Sequence, residues 1–152
     1  PGSAMAPGST RTRCSRPPAP PPDPVGAVPG GPPPELDDFL RLYAAGRYWD
    51  AHEALEAAWR RSDEPRMRFL QGLIQWAVAF EHHRRGNARG ARALLERSWS
   101  RLRTAPDGYM GLDLAPLRAA QPGLAAAFAA WEAGGPRPDV TPPPVARLPA
   151  RP

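Results

Sequence analysis

Leu36, Phe39, Leu40 and Tyr43 recur at steps of three and four, the spacing that gathers side chains on one face of a helix. The pattern predicts a first helix over residues 35–45. Glu35, Asp37 and Asp38 crowd its N-terminal turn, where the helix dipole favours acids, and Gly46 follows as C-cap. A second helix is predicted over residues 48–61, with Ala51, Leu55, Ala58 and, to one side, Trp59 on its apolar face. Ser62-Asp63-Glu64-Pro65 then stops the chain and restarts it, Ser62 or Asp63 serving as N-cap. The third helix, residues 64–85, is apolar nearly all round from Phe69 to Phe80 and belongs at the centre of the fold. A fourth, residues 88–104, turns Ala91, Leu94, Leu95, Ser98 and Leu102 inward. After the Pro106-Asp107-Gly108 turn, Asp113 caps a short helix ending at Ala120, and a last helix runs from Gly123 to Ala133.

Two of these segments echo each other. Gly46, Ala51, Leu55, Glu56 and Trp59 match Gly86, Ala91, Leu95, Glu96 and Trp99, each 40 residues later. Glycine turns the chain, alanine lets a neighbouring helix approach, and leucine and tryptophan fill the interface. This is the logic of tetratricopeptide-like hairpins, whose usual period is about 34. The expected fold is therefore all-α: a compact bundle of five to six helices, built from two stacked hairpins of this kind plus a C-terminal cap.

Composition sets the limits of that domain. Of 23 prolines, 12 fall in residues 1–34 and 7 in residues 136–152. Proline removes a helix donor and clashes with the preceding turn. The expectation is a helical domain over residues 35–134 between disordered Pro-rich tails, 1–34 and 135–152, that sample polyproline II and coil. Residues 1–4 ahead of Met5 read as a cloning remnant.

The net charge of +5 suggests nucleic-acid binding only until it is divided. The tails carry six arginines against two acids, whereas the domain is nearly balanced, at 14 arginines against 13 acids. A DNA-reading domain shows its basic excess on the folded part, so the balance argues against nucleic acid. All 20 basic residues are arginine, which excludes a lysine nucleophile or Schiff base. The single cysteine, Cys14, lies in the N-terminal tail and allows neither an internal disulfide nor a multi-thiolate zinc site. No window is apolar enough to span a membrane and no signal-peptide run appears near the start, so the cytoplasm is the expected compartment.

The residues that break the apolar pattern are the candidates for chemistry. His52 and Glu56 lie one helical turn apart, bracketed by Trp49 and Trp59. Gln71, Gln75 and His82 share one face of the third helix. Consecutive helices usually pack together, so the two polar stripes are expected to face each other. They then form either a satisfied interhelical network that fixes packing or a ligand site. In the second case His52, Glu56 and His82 would supply two imidazoles and a carboxylate to one divalent ion (zinc, manganese or iron) with an open position. Adjacent His82 and His83 point about 100° apart on a helix, so only one of them can join His52. The run Arg84-Arg85, Arg89, Arg92, Arg97, Arg101 and Arg103 reads as a solvated face or an anion-binding edge. No G-x-S-x-G element or phosphate-binding glycine loop is present.

These residues resemble a family. Ala45-Gly46-Arg47-Tyr48 through His52-x-x-x-Glu56-x-x-Trp59 is similar to the signature of the bacterial and archaeal family called domain of unknown function 309. So are Gln71-Gly72-Leu73-Ile74-Gln75 with Ala79, His82, Gly86-Asn87 and Gly90-Ala91, and the later Tyr109-x-Gly111-Leu112-Asp113. The resemblance spans about residues 36–114. It implies a small all-helical protein in which His52, Glu56 and Trp59 are functional, with metal binding a standing suggestion. It brings no activity with it. Trp76, Glu81 and the long tails depart from the family pattern.

Three function classes follow. The first is a non-catalytic scaffold that binds a protein, a peptide or a small molecule, for which five tryptophans supply rigid anchors. The second is a metal-dependent hydrolase or other small-molecule enzyme centred on His52, Glu56 and His82, with Glu56 as ligand or general base. The third is docking through the Pro17–Pro22 run, whose plainer reading is a solubilising extension. A homo-oligomer is compatible with all three, and the sequence ranks the scaffold first.

Overall fold

Phe69, Leu70, Leu73, Ile74, Trp76, Ala77, Ala79 and Phe80 are all buried in the computed structural model, so the helix that bears them runs through the middle of the molecule. The structure describes Gly2 and residues 31–149. Its elements are α1 (Glu35–Ala44), α2 (Tyr48–Arg60), α3 (Arg66–Arg84), α4 (Ala88–Leu102) and α5 (Ala115–Glu132), with short strands β1 (Leu112–Asp113) and β2 (Ala146–Arg147). Each helix packs against the next in chain order, giving the expected all-α bundle of five helices.

The 40-residue echo corresponds to two equivalent turns. Gly46 and Gly86 adopt φ of 75° and 80°, a left-handed conformation that glycine reaches without a Cβ penalty. In each turn the next residue closes the helix end. Arg47 N–H donates to the Leu42 carbonyl at 2.9 Å, and Asn87 N–H to the His82 carbonyl at 2.8 Å. Downstream, Ala51 and Ala91, then Leu55 and Leu95, are fully buried. The copies differ at the cap. Asn87 Oδ1 accepts from Gly90 N–H, while Arg47, the N-cap residue of α2, gives no side-chain cap.

The most extensive helix contact is between α3 and α4. A Cβ on Gly72 would lie 2.8 Å from Leu102 Cδ2, and the Gly72 carbonyl accepts a 2.8 Å bond from buried Ser98 Oγ. Side chains on the other flank of α3 meet α1 and α5. Trp76 Nε1 donates to Tyr43 Oη at 3.1 Å, and Phe80 meets Phe128 edge to face.

Two expectations are corrected. The first is the division of the C-terminal segment into two short helices, because Pro122 lies inside one continuous helix, α5. Leu117, Leu124 and Phe128 are spaced seven and four apart and are all buried. They share one stripe only if the helix continues, so packing outweighs the local cost of the proline.

The second is the disordered C-terminal tail, because residues 136–149 lie against the bundle as an extended strap. The Pro143 carbonyl accepts from Tyr43 Oη at 2.7 Å, the Pro138 carbonyl lies 2.7 Å from His83 Nε2, and Val145 is buried. β2 then pairs antiparallel with β1, Leu112 opposite Arg147 and Asp113 opposite Ala146. Arg147 reaches Asp37 of α1 at 2.7 Å. A proline-rich strand suits this path, because missing N–H groups leave fewer donors to satisfy against a helical surface. Pro17–Pro22 and the rest of residues 3–30 lie outside the described residues.

Candidate functional site

α2 carries His52, Glu56 and Trp59 at steps of four and three, close to one line along the helix. Ala51, Leu55 and Ala58 anchor the adjoining face in the core, which fixes the rotation of the helix and the direction of the polar line. His52 Nε2 lies 3.1 Å from Glu56 Oε1, and Glu56 Oε2 is 3.3 Å from Arg60. The Trp49 ring lies 4.7 Å from the imidazole. His52 Nδ1 and Trp59 Nε1 are both buried and have no hydrogen-bond partner among the described residues.

The polar stripe of α3 does not meet this line. Arg101 of α4 donates from Nε to Gln71 Oε1 and from Nη1 to Gln75 Oε1, both at 3.1 Å. His82 Nδ1 pairs with Asn87 Nδ2 at 3.0 Å in the turn before α4. A Cβ on Gly90 would lie 2.8 Å from the His82 ring, so that imidazole is packed on the first turn of α4. Gln71, Gln75 and His82 therefore find their partners on the α4 side, and the expected network with His52 and Glu56 does not form. Among the described residues, no three His, Cys, Asp or Glu side chains gather in an arrangement that could hold a metal ion. Adjacent His83 points elsewhere, stacked on Phe128 with ring centroids 5.7 Å apart.

The structure also singles out residues that the sequence reading leaves outside the candidate site. Arg101 links two carboxamides. Glu81, a departure from the family pattern, is buried and receives Arg84 Nη2 at 2.6 Å and Arg85 Nε at 2.7 Å. Arg84, and after it Arg85, holds the Glu81 carboxyl below the usual carboxylate range, against the opposing effect of burial. The signal is present in the sequence: an acid three and four residues before two arginines on an apolar helix. No helix among the described residues is long and apolar enough to cross a membrane.

Known proteins share this framework. A crystal structure of a conserved hypothetical protein, TTHA0068 from Thermus thermophilus, is similar at a TM-score of 0.52 with 34% identity, over 64% of this chain and 98% of that one. The uncharacterized protein YpuF of Bacillus subtilis is 42% identical over 65 residues, which are 41% of this chain and 37% of YpuF. The chain thus matches little more than a third of that relative's length. Residues 36–94 match the family described as a domain of unknown function (DUF309), the stretch that holds the His52–Glu56–Trp59 line, both glycine turns and most of the α3–α4 hairpin. With that match, and with a solved relative paired over nearly its whole length, this chain belongs to the DUF309 family.

Proposed function

We propose that this protein is a non-catalytic binding scaffold of the cytoplasm, and that the α2 line of His52, Glu56 and Trp59 receives a protein or peptide partner. One observation supports this reading above the others. Two buried ring nitrogens, His52 Nδ1 and Trp59 Nε1, flank Glu56 on one helix face without hydrogen-bond partners among the described residues. An unpaired buried polar group costs about 1–3 kcal/mol, and a rearrangement of this face on binding that paired both nitrogens would recover that cost. Half-exposed Trp49 beside His52 adds a rigid aromatic anchor of the kind that dominates binding energies at interfaces.

The test is photocrosslinking from position 53 or 60 in cells, followed by titration of the purified captured partner. Both His52→Ala and Trp59→Phe should weaken that titration about tenfold, while the helical circular dichroism stays unchanged. A titration indifferent to both substitutions would remove the line from the interface. About one equivalent of zinc, manganese or iron in tag-free protein, lost on His52→Ala, would replace the scaffold reading with a metal-dependent enzyme.

A further inference from the structure

The turn between α1 and α2 and the last turn of α3 enclose an open pocket of about 380 Å³, lined by Gly46, Arg47, Tyr48, Trp49, Asp50, Glu81, Arg84 and Arg85. Its size falls within the range of small-molecule sites. Three guanidiniums line it against two carboxylates, and each carboxylate is already engaged. Asp50 pairs with Arg47 at 2.8 Å, and Glu81 takes both Arg84 and Arg85. The lining therefore carries one excess positive charge.

The arginines are held in place. Glu81 is 3% exposed and acts as an internal post that fixes Arg84 through two bonds and Arg85 through its Nε. Arg85 also lies over the Trp49 ring, 5.4 Å from its centroid. That ring leans in turn on His52. The Glu81 bond occupies Nε of Arg85, and its two terminal nitrogens have no partner among the described residues. The Tyr48 hydroxyl, in the same lining, has none either. Burial and then the nearby Glu81 raise its pKa, so it remains a protonated donor. Fixed guanidinium donors and a hydroxyl facing one small space are the parts of an oxyanion site, and arginine's planar fork suits phosphate.

We propose that this pocket is a site for the phosphate group of a small phosphorylated molecule, held by Arg47, Tyr48, Arg84 and Arg85. The volume exceeds that of a phosphate group alone, so an organic portion of the ligand fits beside Trp49. The site is separate from the proposed protein-binding line on α2 but touches it through Trp49, which contacts both Arg85 and His52.

The experiment is a titration of the full ¹⁵N-labelled chain with inorganic phosphate and with phenyl phosphate at low ionic strength, followed by heteronuclear NMR. Saturable shifts confined to residues 46–50 and 81–85 are expected, with phenyl phosphate the tighter ligand. Arg85→Gln should weaken binding about tenfold, the loss of a charge-assisted hydrogen bond. Arg47→Ala removes an exposed side chain paired, among the described residues, with exposed Asp50, so it tests the site without disturbing the Glu81 post, and should weaken binding as well. Arg103→Ala, remote from the pocket, should leave affinity unchanged. Shifts spread over many arginines without saturation would overturn the proposal. So would retained affinity in both pocket variants, or tighter binding of benzoate than of phenyl phosphate.

Discussion

Tyr43 and Trp76, 33 residues apart, meet through one hydrogen bond of 3.1 Å from the indole N–H to the phenol oxygen. The phenol O–H in turn donates to the Pro143 carbonyl at 2.7 Å. A single hydroxyl thus joins α1, the central helix and the strap. Burial pushes the phenol's pKa far up, so it stays a donor across the physiological range. Tyr43→Phe keeps the ring contacts with Phe39, Tyr48 and Phe80 but leaves an indole N–H and a carbonyl unpaired. It should cost about 1–3 kcal/mol, read as a lower urea midpoint. Hydrogen exchange should also quicken along residues 136–149.

Gly72 allows the closest approach of α3 and α4. Gly72→Ala would place a methyl 2.8 Å from Leu102 Cδ2 and 3.2 Å from Arg101 Cβ. Leu102 is fully buried and has nowhere to withdraw. The gain in helix propensity from alanine, about 1 kcal/mol, is outweighed by overpacking of about 1–3 kcal/mol. Thermal unfolding should show a net loss, while Gly123→Ala, where a Cβ meets nothing within 4 Å, should stabilise.

The Glu81 cluster predicts a pH dependence. Its folded-state pKa lies below the ordinary value of 4.5 because Arg84 and Arg85 favour the carboxylate. The unfolded chain therefore takes up a proton first as pH falls. The stability from this group is complete above about pH 4.5 and disappears as pH drops through the lower, folded-state value. Urea midpoints between pH 3 and pH 6 should fall on the acid side, and Glu81→Gln should flatten that limb.

Glu56 and Arg101 should differ in what they contribute. Glu56 is one-third exposed, and its pairs with His52 and Arg60 are local. Glu56→Ala should cost under about 1 kcal/mol, as exposed helix pairs do. This is far less than the sequence implies if Glu56 is taken to satisfy buried glutamines. Arg101→Ala strands two carboxamide oxygens and should cost about 1–3 kcal/mol. A double-mutant cycle with Gln75→Ala should show coupling for Arg101 and none for Glu56.

The helices are legible in the sequence because each hides a periodic stripe, and the echo at Gly46 and Gly86 marks two turns by spacing alone. Helix rotation is not legible. Gln71, Gln75 and His82 share a face, but the sequence does not say whether α2 or α4 covers it. Arg101, which settles the matter, reads as one more arginine on a solvated face. The strap is hidden for another reason. Composition shows that residues 136–149 cannot form a core, yet a segment can dock on an existing core through carbonyls and one valine. Pro122 misleads in the same way, since its local penalty says nothing of the stripe it interrupts.

The Arg147–Asp37 contact has a topological consequence. It brings the end of the strap beside the first turn of α1, so the folded chain runs almost in a closed ring. The strap could then be linked to the segment before α1 and the chain reopened between α3 and α4, in the turn at Gly86. Such a permuted protein would keep every helix contact described above while reversing the order in which the halves leave the ribosome. The order of synthesis and the architecture of the bundle are separable properties of this fold.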